Sequence, residues 1–270
     1  MSRQKQQKPE PSQAPKIVVS VKRKESAGLL LLLGMLLVAV APIAYLVSIR
    51  GISLLPWVFA GAAAWALGLL VKFPLTAWIP RVKSWMGSKD APRPGYAALA
   101  VVAGLLSGLA ELGLALSVLY LLVPLGDATT LIAFGVSAGS TEVFYVLLIL
   151  APREAQKALE SGALRRKAQA SPPPLGSVVL GSILERAYAT VIHTTTRGLV
   201  AISILGSDPL PGLLGLLAFT LVDGAASFGD FRGWNWQDAR ILRRFHAFGL
   251  GVAALGVVWF AYFLKMYHPY

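Results

Sequence analysis

The sequence predicts an all-α, polytopic membrane protein with about seven transmembrane helices, its N-terminus cytoplasmic and its C-terminus outside. Three observations lead to this fold class. Of the 270 residues, 56% are hydrophobic and only 14% are charged, whereas an average soluble domain is about 45–50% apolar. The apolar residues form runs of about 20 residues or more, the length that crosses a bilayer core of about 30 Å. Lys and Arg are concentrated in alternate connections between these runs.

The chain begins with a polar, basic segment, residues 1–26, which is rich in Gln, Pro and Ser. This segment has too little apolar surface to offset the entropy of ordering, so we expect a disordered cytoplasmic tail. Residues 27–266 are expected to form a single helical membrane domain, because runs this long satisfy their backbone in lipid only as helices. Its spans are expected near residues 27–49, 52–73, 96–125, 129–151, 175–206, 210–229 and 241–265.

The connections between spans differ in length. "IRG" follows the first span and "GDATT" follows the third. Connections this short usually join antiparallel neighbours, so we expect the first and second spans, and the third and fourth, to pack as hairpins. Residues 153–170, after the fourth span, are long enough for a short surface helix. "SPPP" ends that helix, because proline cannot continue it.

The basic residues predict the orientation. All but four of the 25 Lys and Arg residues fall in the N-terminal tail and in the loops after the second, fourth and sixth spans, with Lys72 counted in the first of these loops. The positive-inside rule makes this side cytoplasmic. The exceptions are Arg50 and Lys265 on the opposite side, and Arg186 and Arg197 within the fifth span. The net charge of +12 is thus a topology signal. We expect a multi-pass protein of the cell membrane that contacts membrane lipids and no nucleic acid.

Four acidic residues lie inside otherwise apolar runs: Glu111, Glu142, Glu185 and Asp223. Insertion scales assign an acid at the centre of a span a cost of about 2.5–3.5 kcal/mol. Such residues are therefore expected to face one another, a cation or water, and to mark a functional site. Asp223 lies nearer the cytoplasmic end of its span, where we expect it to pair with a basic group.

Glu111 and Glu142 end two similar stripes. "GLLSGLAE" and "GVSAGSTE" each place two glycines and the glutamate at positions i, i+4 and i+7, on one face of a helix. Small residues spaced in this way let membrane helices approach closely. We therefore expect both carboxyl groups to lie in interhelical contacts, with the third, fourth and fifth spans packed as one layer.

The fifth span contains the most ionisable residues, in "SILERAYATVIHTTTRG". Arg186, His193 and Arg197 fall on one stripe, at i, i+7 and i+11, and Glu185 lies beside it. These cations are expected to neutralise the acids of the other spans. The chain has no cysteine, which excludes disulfides and thiolate metal sites. A divalent metal, if one binds, would have to use His193 together with carboxylates such as Glu142.

At these residues the chain resembles the YhfC family, which is related to the CAAX-processing and bacteriocin-processing (CPBP) glutamic intramembrane peptidases. Glu111, "GVSAGSTE" and "LERAYATVIH" look like the three motif regions of that family, over roughly residues 100–200. The resemblance implies a peptidase acting on a membrane-associated peptide or protein, for which we expect no cofactor, with a divalent metal as the alternative. Its catalytic residues would be Glu111, Glu142, Glu185, Arg186 and His193. Two motifs depart from the family: the first lacks a second acid and a basic residue, and Ala138 stands where the second has histidine.

Three functions remain open. In a peptidase, Glu142 or Glu111 would activate water, and His193 with an arginine would stabilise the oxyanion. A proton-coupled transporter would use the same intramembrane residue types, although seven spans do not divide into two equal repeats. Because of Ala138, a catalytically inactive relative that binds membrane proteins is the third possibility.

Overall fold

The computed structural model describes residues 14–85, 93–122, 126–153, 156, 175–236 and 238–267. These residues are helical and contain no strand, which confirms the all-α prediction. A 3₁₀ turn at Ile52–Leu54 precedes α2, and a π-helical turn at Val146–Leu150 continues α5. The helices are α1 (Ala14–Arg50), α2 (Leu55–Thr76), α3 (Ile79–Trp85), α4 (Arg93–Leu122), α5 (Ala128–Tyr145), α6 (Leu175–Leu205), α7 (Pro209–Phe231) and α8 (Ala239–Tyr267).

Within the described ranges, six helical segments are long and apolar enough to cross a membrane, as expected for a polytopic membrane protein. Each overlaps a predicted span. They are Ser26–Arg50, Ile52–Ser84, Gly95–Leu121, Ala128–Arg153, Pro209–Phe231 and Ala239–Tyr267. Helix α6 corresponds to the remaining predicted span and is 31 residues long. It carries three charged residues, Glu185, Arg186 and Arg197, and a run of threonines within its apolar sequence.

Helix α1 begins earlier than the sequence predicts. It starts at Ala14, within the segment assigned to the disordered tail. Pro15 lies in the first turn, where proline is tolerated, and the next proline is Pro42. A helix can therefore extend from the apolar Ser26–Arg50 segment back through the basic residues, because adding a turn to an existing helix costs less than starting one. The start of the tail, residues 1–13, and most of the expected surface helix lie outside the described residues.

Helix α6 lies at the centre of the bundle. It packs against α1, α4, α5, α7 and α8. Helix α2 packs against both α4 and α5, and α4 has its most extensive contact with α7. Helices α4 and α5 make at most marginal contact, because α2 and α6 each contact both of them. The expected packing of the three helices as neighbours is thus met through α6, which contacts both α4 and α5, and not through a direct contact between α4 and α5.

The two expected hairpins are wrong as packed pairs. Helix α1 packs against α5 and α6, and makes at most marginal contact with α2. The chain turns away between them at Gly51, whose φ of 76° is in the region that glycine adopts far more readily than other residues. Helices α4 and α5, as described above, are likewise separated. A short connection constrains only the ends of two helices, and the contacts along their length decide the packing.

The glycine stripes do bring backbones together, but each uses a different partner helix. A Cβ atom added to Gly104 of α4 would lie 2.4 Å from the backbone oxygen of Thr220 in α7. One added to Gly135 of α5 would lie 2.5 Å from the Cα of Thr194 in α6. Both distances are too short for any side chain. The glycines therefore set the α4–α7 and α5–α6 contacts, which position Glu111 and Glu142.

Helix α2 has a comparable pair of close approaches, to two helices. A Cβ atom on Gly61 would lie 2.0 Å from the backbone oxygen of Phe134 in α5, and one on Gly68 would lie 3.0 Å from the Cα of Glu111 in α4. Small residues thus allow α2 to insert between α4 and α5.

Replacing Gly61 with alanine should lower the free energy of unfolding by about 1–3 kcal/mol, because the new methyl group overlaps the backbone of α5. Gly113→Ala in α4 is the matched control, since nothing lies within 4 Å of its added Cβ. That variant should be neutral, or more stable by about 0.5–1 kcal/mol through helix propensity. Thermal unfolding of the purified protein in detergent measures both, and equal stability of the two variants would contradict the close approach.

Asp208, just before α7, predicts a pH effect at the opposite end of the bundle from the basic loops. Its carboxylate accepts hydrogen bonds from the backbone N–H of Leu210 at 2.9 Å and from the Tyr267 hydroxyl at 2.7 Å. These bonds, that of Leu210 first, hold the pKa of Asp208 below its ordinary value of 3.8. The stabilisation they give is full above this ordinary value and is lost as pH falls through the lower folded-state pKa. The melting-temperature difference between wild type and Asp208→Ala should therefore shrink below about pH 4, and a constant difference would contradict this assignment.

Candidate functional site

The ionisable side chains predicted within the spans converge in the middle of the bundle. We call the following eight residues the polar cluster: Lys72 of α2, Glu111 of α4, Glu142 of α5, Glu185, Arg186, His193 and Arg197 of α6, and Asp223 of α7. Ion pairs and hydrogen bonds connect all eight in one chain. The expectation that cations of the fifth span neutralise acids of the other spans is confirmed.

Arg197 is the most buried member of the polar cluster, with no exposed surface. Its Nη2 lies 3.1 Å from Oε2 of Glu111, and its Nη1 donates to Nδ1 of His193. Glu111 is almost as buried and also accepts from Nζ of Lys72 at 3.0 Å. A buried charge is tolerated only when it is paired and hydrogen-bonded in this way. Glu111 therefore has a cation on each of its two oxygens.

The contacts of His193 determine which ring nitrogen carries the proton. A guanidinium group is always protonated and has only donors, so Nδ1, which faces Arg197, must accept. The ring proton is then on Nε2, which contacts Oε2 of Glu142. His193 is thus a neutral imidazole that donates to Glu142. Its Nδ1 also lies 3.9 Å from Oε2 of Glu111, so the two predicted catalytic glutamates lie on either side of one ring.

Arg186 connects two acids on the N-terminal side of His193 along α6. Its Nη1 lies 2.5 Å from Oε1 of Glu142, and its Nη2 donates to Glu185. Glu142 therefore accepts from His193 on one oxygen and from Arg186 on the other. The Glu185 side chain is the most exposed of the four acids, at 37%.

Lys72 was wrongly assigned to a cytoplasmic loop. It lies within α2, with its Nζ 2.9 Å from Oδ2 of Asp223 as well as 3.0 Å from Glu111. Asp223 is paired with a basic group, as the sequence predicts, and it also accepts from the Ser107 hydroxyl. Lys72 therefore belongs to the site and joins α2, α4 and α7.

A sequence signal for Lys72 does exist. Gly61, Trp65, Gly68 and Lys72 are spaced at i, i+4, i+7 and i+11 and lie on one stripe of a helix. The three residues before Lys72 are buried and face the bundle. The apolar run also resumes after Lys72 and continues to Ile79. When the span boundary is placed by charge alone, Lys72 falls in a loop and its position on this stripe is not recognised.

A cavity of about 380 Å³ adjoins the polar cluster. Glu111, Glu142, Glu185, His193 and other cluster members form one part of its wall. Aromatic residues form much of the rest: Trp65, Phe73, Tyr145, Tyr188, Phe219 and Phe245. The Glu142 side chain is 24% exposed, so a molecule in the cavity can reach its carboxylate. Val146 and Leu150 of the π-helical turn also line the cavity, and π turns are frequent at functional sites.

The donor atoms of the cluster also bear on metal binding. Within the parts of the chain that the structure describes, no group of three or more His, Asp or Glu residues is arranged to hold a metal ion. Arg186 and Arg197 contact Glu142 and His193, the two side chains that the sequence named as metal ligands. A guanidinium group beside each of them disfavours a divalent cation by charge repulsion.

The structure brings together all five residues that the sequence selected as catalytic. Glu111, Glu142, Glu185, Arg186 and His193 belong to the polar cluster, and all five line the cavity. Arg197 was identified on the stripe of the fifth span but not as a site residue, and Lys72 and Ser107 were missed. Ala138 is fully buried one helical turn before Glu142.

Comparisons of the chain with protein-family models, with curated proteins and with solved structures find no match.

Replacing Arg197 with methionine should lower the free energy of unfolding by about 3–5 kcal/mol, because Glu111 and His193 lose a buried partner. Adding Glu111→Met should recover much of that loss, since the pair is then replaced by apolar groups. Arg50→Met is the control: its pair with Asp127 is half exposed on both sides, and such pairs contribute at most about 1 kcal/mol. Thermal unfolding in detergent compares the variants, and an Arg197→Met loss no larger than that of Arg50→Met would contradict the central role of Arg197.

Proposed function

We propose that the protein is an intramembrane peptidase in which Glu142 activates a water molecule that hydrolyses a peptide bond of a membrane-associated substrate. The observation that carries this proposal is the contact between Glu142 and His193 at the wall of a cavity inside an otherwise apolar bundle. A carboxylate held by an imidazole and open to a water-sized space is a suitable general base. The motif resemblance to the YhfC family supports the same reaction.

The reaction assigns a role to each accessible group. Glu142 accepts one hydrogen bond on each oxygen, which leaves lone pairs for a water in the cavity. It takes a proton from this water while the water oxygen adds to the carbonyl carbon of the substrate. Glu142 then gives the proton to the amide nitrogen as the carbon–nitrogen bond breaks. His193 positions Glu142 through its Nε2–H, and Arg197 holds His193 in the required tautomer.

Two cations can stabilise the oxyanion that forms on the carbonyl. Arg186 and Lys72 both line the cavity, and their side chains are 14% and 27% exposed. Lys72 uses two of its three N–H donors on Glu111 and Asp223, which leaves one for a ligand. Loss of one such donor typically costs about 2.7–4 kcal/mol of transition-state stabilisation. Glu185 orients Arg186, and Glu111 orients Lys72.

The proposal includes a topology. We place α6 as a seventh span, the fifth in chain order, with the N-terminus in the cytoplasm and the C-terminus outside the cell membrane. The central position of α6 supports this assignment, because most of its polar residues, His193 and Arg197 among them, are buried against other helices. The positive-inside rule then puts the cavity in the cytoplasmic half of the bundle, so the substrate would be cleaved near that surface.

A proton-coupled transporter is the second candidate, because Lys72 and Asp223 line a further cavity as well as the first. A polar chain that connects two cavities also suits proton movement. An inactive relative would have the same cluster and neither activity.

Glu142→Gln should reduce peptide-bond cleavage by about 10²–10⁴-fold, since the amide keeps size and hydrogen bonding but cannot accept the proton. The measurement is mass-spectrometric detection of cleavage in a set of single-span reporter peptides reconstituted with the protein in liposomes. Asp127→Asn is the matched control, because it makes the same change at a half-exposed carboxylate far from the cavity. Its rate should equal that of wild type.

The same liposomes separate the alternatives. A chelator should leave cleavage unchanged, and inactivation reversed by zinc would contradict the metal-free mechanism. Glu142-dependent proton uptake without cleavage would favour the transporter. Neither activity in a folded wild-type protein would favour the inactive relative.

A further inference from the structure

A second cavity, of about 340 Å³, lies between α2, α4 and α7 on the cytoplasmic side of the polar cluster. Six of its eleven lining residues are polar: Lys72, Thr76, Ser107, Asp223, Ser227 and Asp230. The remaining lining residues include two alanines, Ala103 and Ala226. We call this space the vestibule. A cavity this polar within the helices of a membrane protein is expected to contain water.

The vestibule has a polar inner end at the polar cluster. Lys72 and Asp223 line both the vestibule and the first cavity, so their ion pair lies between the two spaces. An ordered water usually needs two to four polar partners. The second oxygen of Asp223 and the Ser227 hydroxyl provide two such partners there.

The outer end of the vestibule lies near the ends of α2 and α7. Thr76 and Ile79 line it on one side, and Asp230 and Phe231 on the other. Asp230 is exposed, and its backbone oxygen accepts from Nζ of Lys83 at 3.1 Å. This end faces the basic loops that the sequence places in the cytoplasm. The vestibule therefore leads from the aqueous side with the basic loops to Lys72 and Asp223.

A hydrolase in a membrane needs a route for water that the substrate does not block. A peptide bound at Glu142 would fill the first cavity. The apolar and aromatic walls of that cavity exclude bulk water. We propose that the vestibule supplies the water for hydrolysis through the Lys72–Asp223 ion pair, separately from substrate entry. The role in hydrolysis rests on the proposed peptidase function, whereas the presence of water in the vestibule does not.

The absence of native cysteine makes single-cysteine labelling a direct test. Ser227→Cys is nearly isosteric and puts a thiol in the vestibule, and Ala103→Cys puts a second one in α4. Val102→Cys is the matched control, since Val102 lies next to Ala103 at the same depth but is 39% exposed on the outer surface of the bundle. The probe is a charged, membrane-impermeant methanethiosulfonate, which reacts with the thiolate and therefore only where water reaches the thiol.

We expect Ser227→Cys and Ala103→Cys to react roughly tenfold or more faster than Val102→Cys in the folded, reconstituted protein. Labelled Ser227→Cys should then show a reduced kcat with unchanged KM, because water delivery is blocked while substrate binding is not. Equal, slow labelling of all three variants would overturn the vestibule as a water path. Labelling without any effect on kcat would overturn its role in hydrolysis. Fast labelling in a wild-type background that cleaves no reporter would support a hydrated vestibule and count against the peptidase.

Discussion

The fully buried guanidinium group of Arg197 is the constraint on which the rest of the structure depends. A charge without exposure in a membrane bundle must be paired, and the partners of its two terminal nitrogens are Glu111 and His193, whereas its Nε has no partner among the described residues. Glu111 brings α4 to α6, and Lys72 adds α2 through the other oxygen of Glu111. His193 then extends the contacts to Glu142 and hence to α5. The position of α6 among five helices follows from the need to surround this arginine.

The sequence was sufficient to predict the helices and most of the cluster, but not how the helices pack. Apolar run length determines where a helix lies, so the boundaries of α4 to α8 agree with the predicted spans to within a few residues. An acid inside such a run has few physical alternatives to an interhelical contact, which is why Glu111 and Glu142 were found. A glycine stripe, however, predicts a close approach but not the helix that approaches. The glycine stripe of α4 contacts α7, and the glycine stripe of α5 contacts α6. Lys72 was missed because a lysine near the end of an apolar run usually extends to the interface.

The packing around Ala138 bears on the resemblance to the YhfC family, whose motif has histidine at this position. Ala138 is fully buried beside the glycines that contact α6, so a histidine there would overpack the contact, at about 1–3 kcal/mol. The cationic and imidazole donors that line the cavity come instead from α2 and α6, as Lys72, Arg186 and His193. The absence of an imidazole at position 138 therefore fits the close α5–α6 packing and does not leave the cavity without donors.

The charges of the polar cluster do not balance. The cluster contains four acids and three permanent cations, and the contact with Arg197 keeps His193 neutral, so one negative charge is left over. The exposed fraction of each acidic side chain depends on how many cations it contacts. Glu111, with two cations, is almost fully buried, whereas Glu185, which shares one arginine with Glu142, is the most exposed of the four. Because an uncompensated charge in hydrocarbon is so costly, water or a bound proton must stabilise the excess near Glu142 and Glu185. Water beside Glu142 would provide this stabilisation, and it is the same molecule that the proposed hydrolysis would consume.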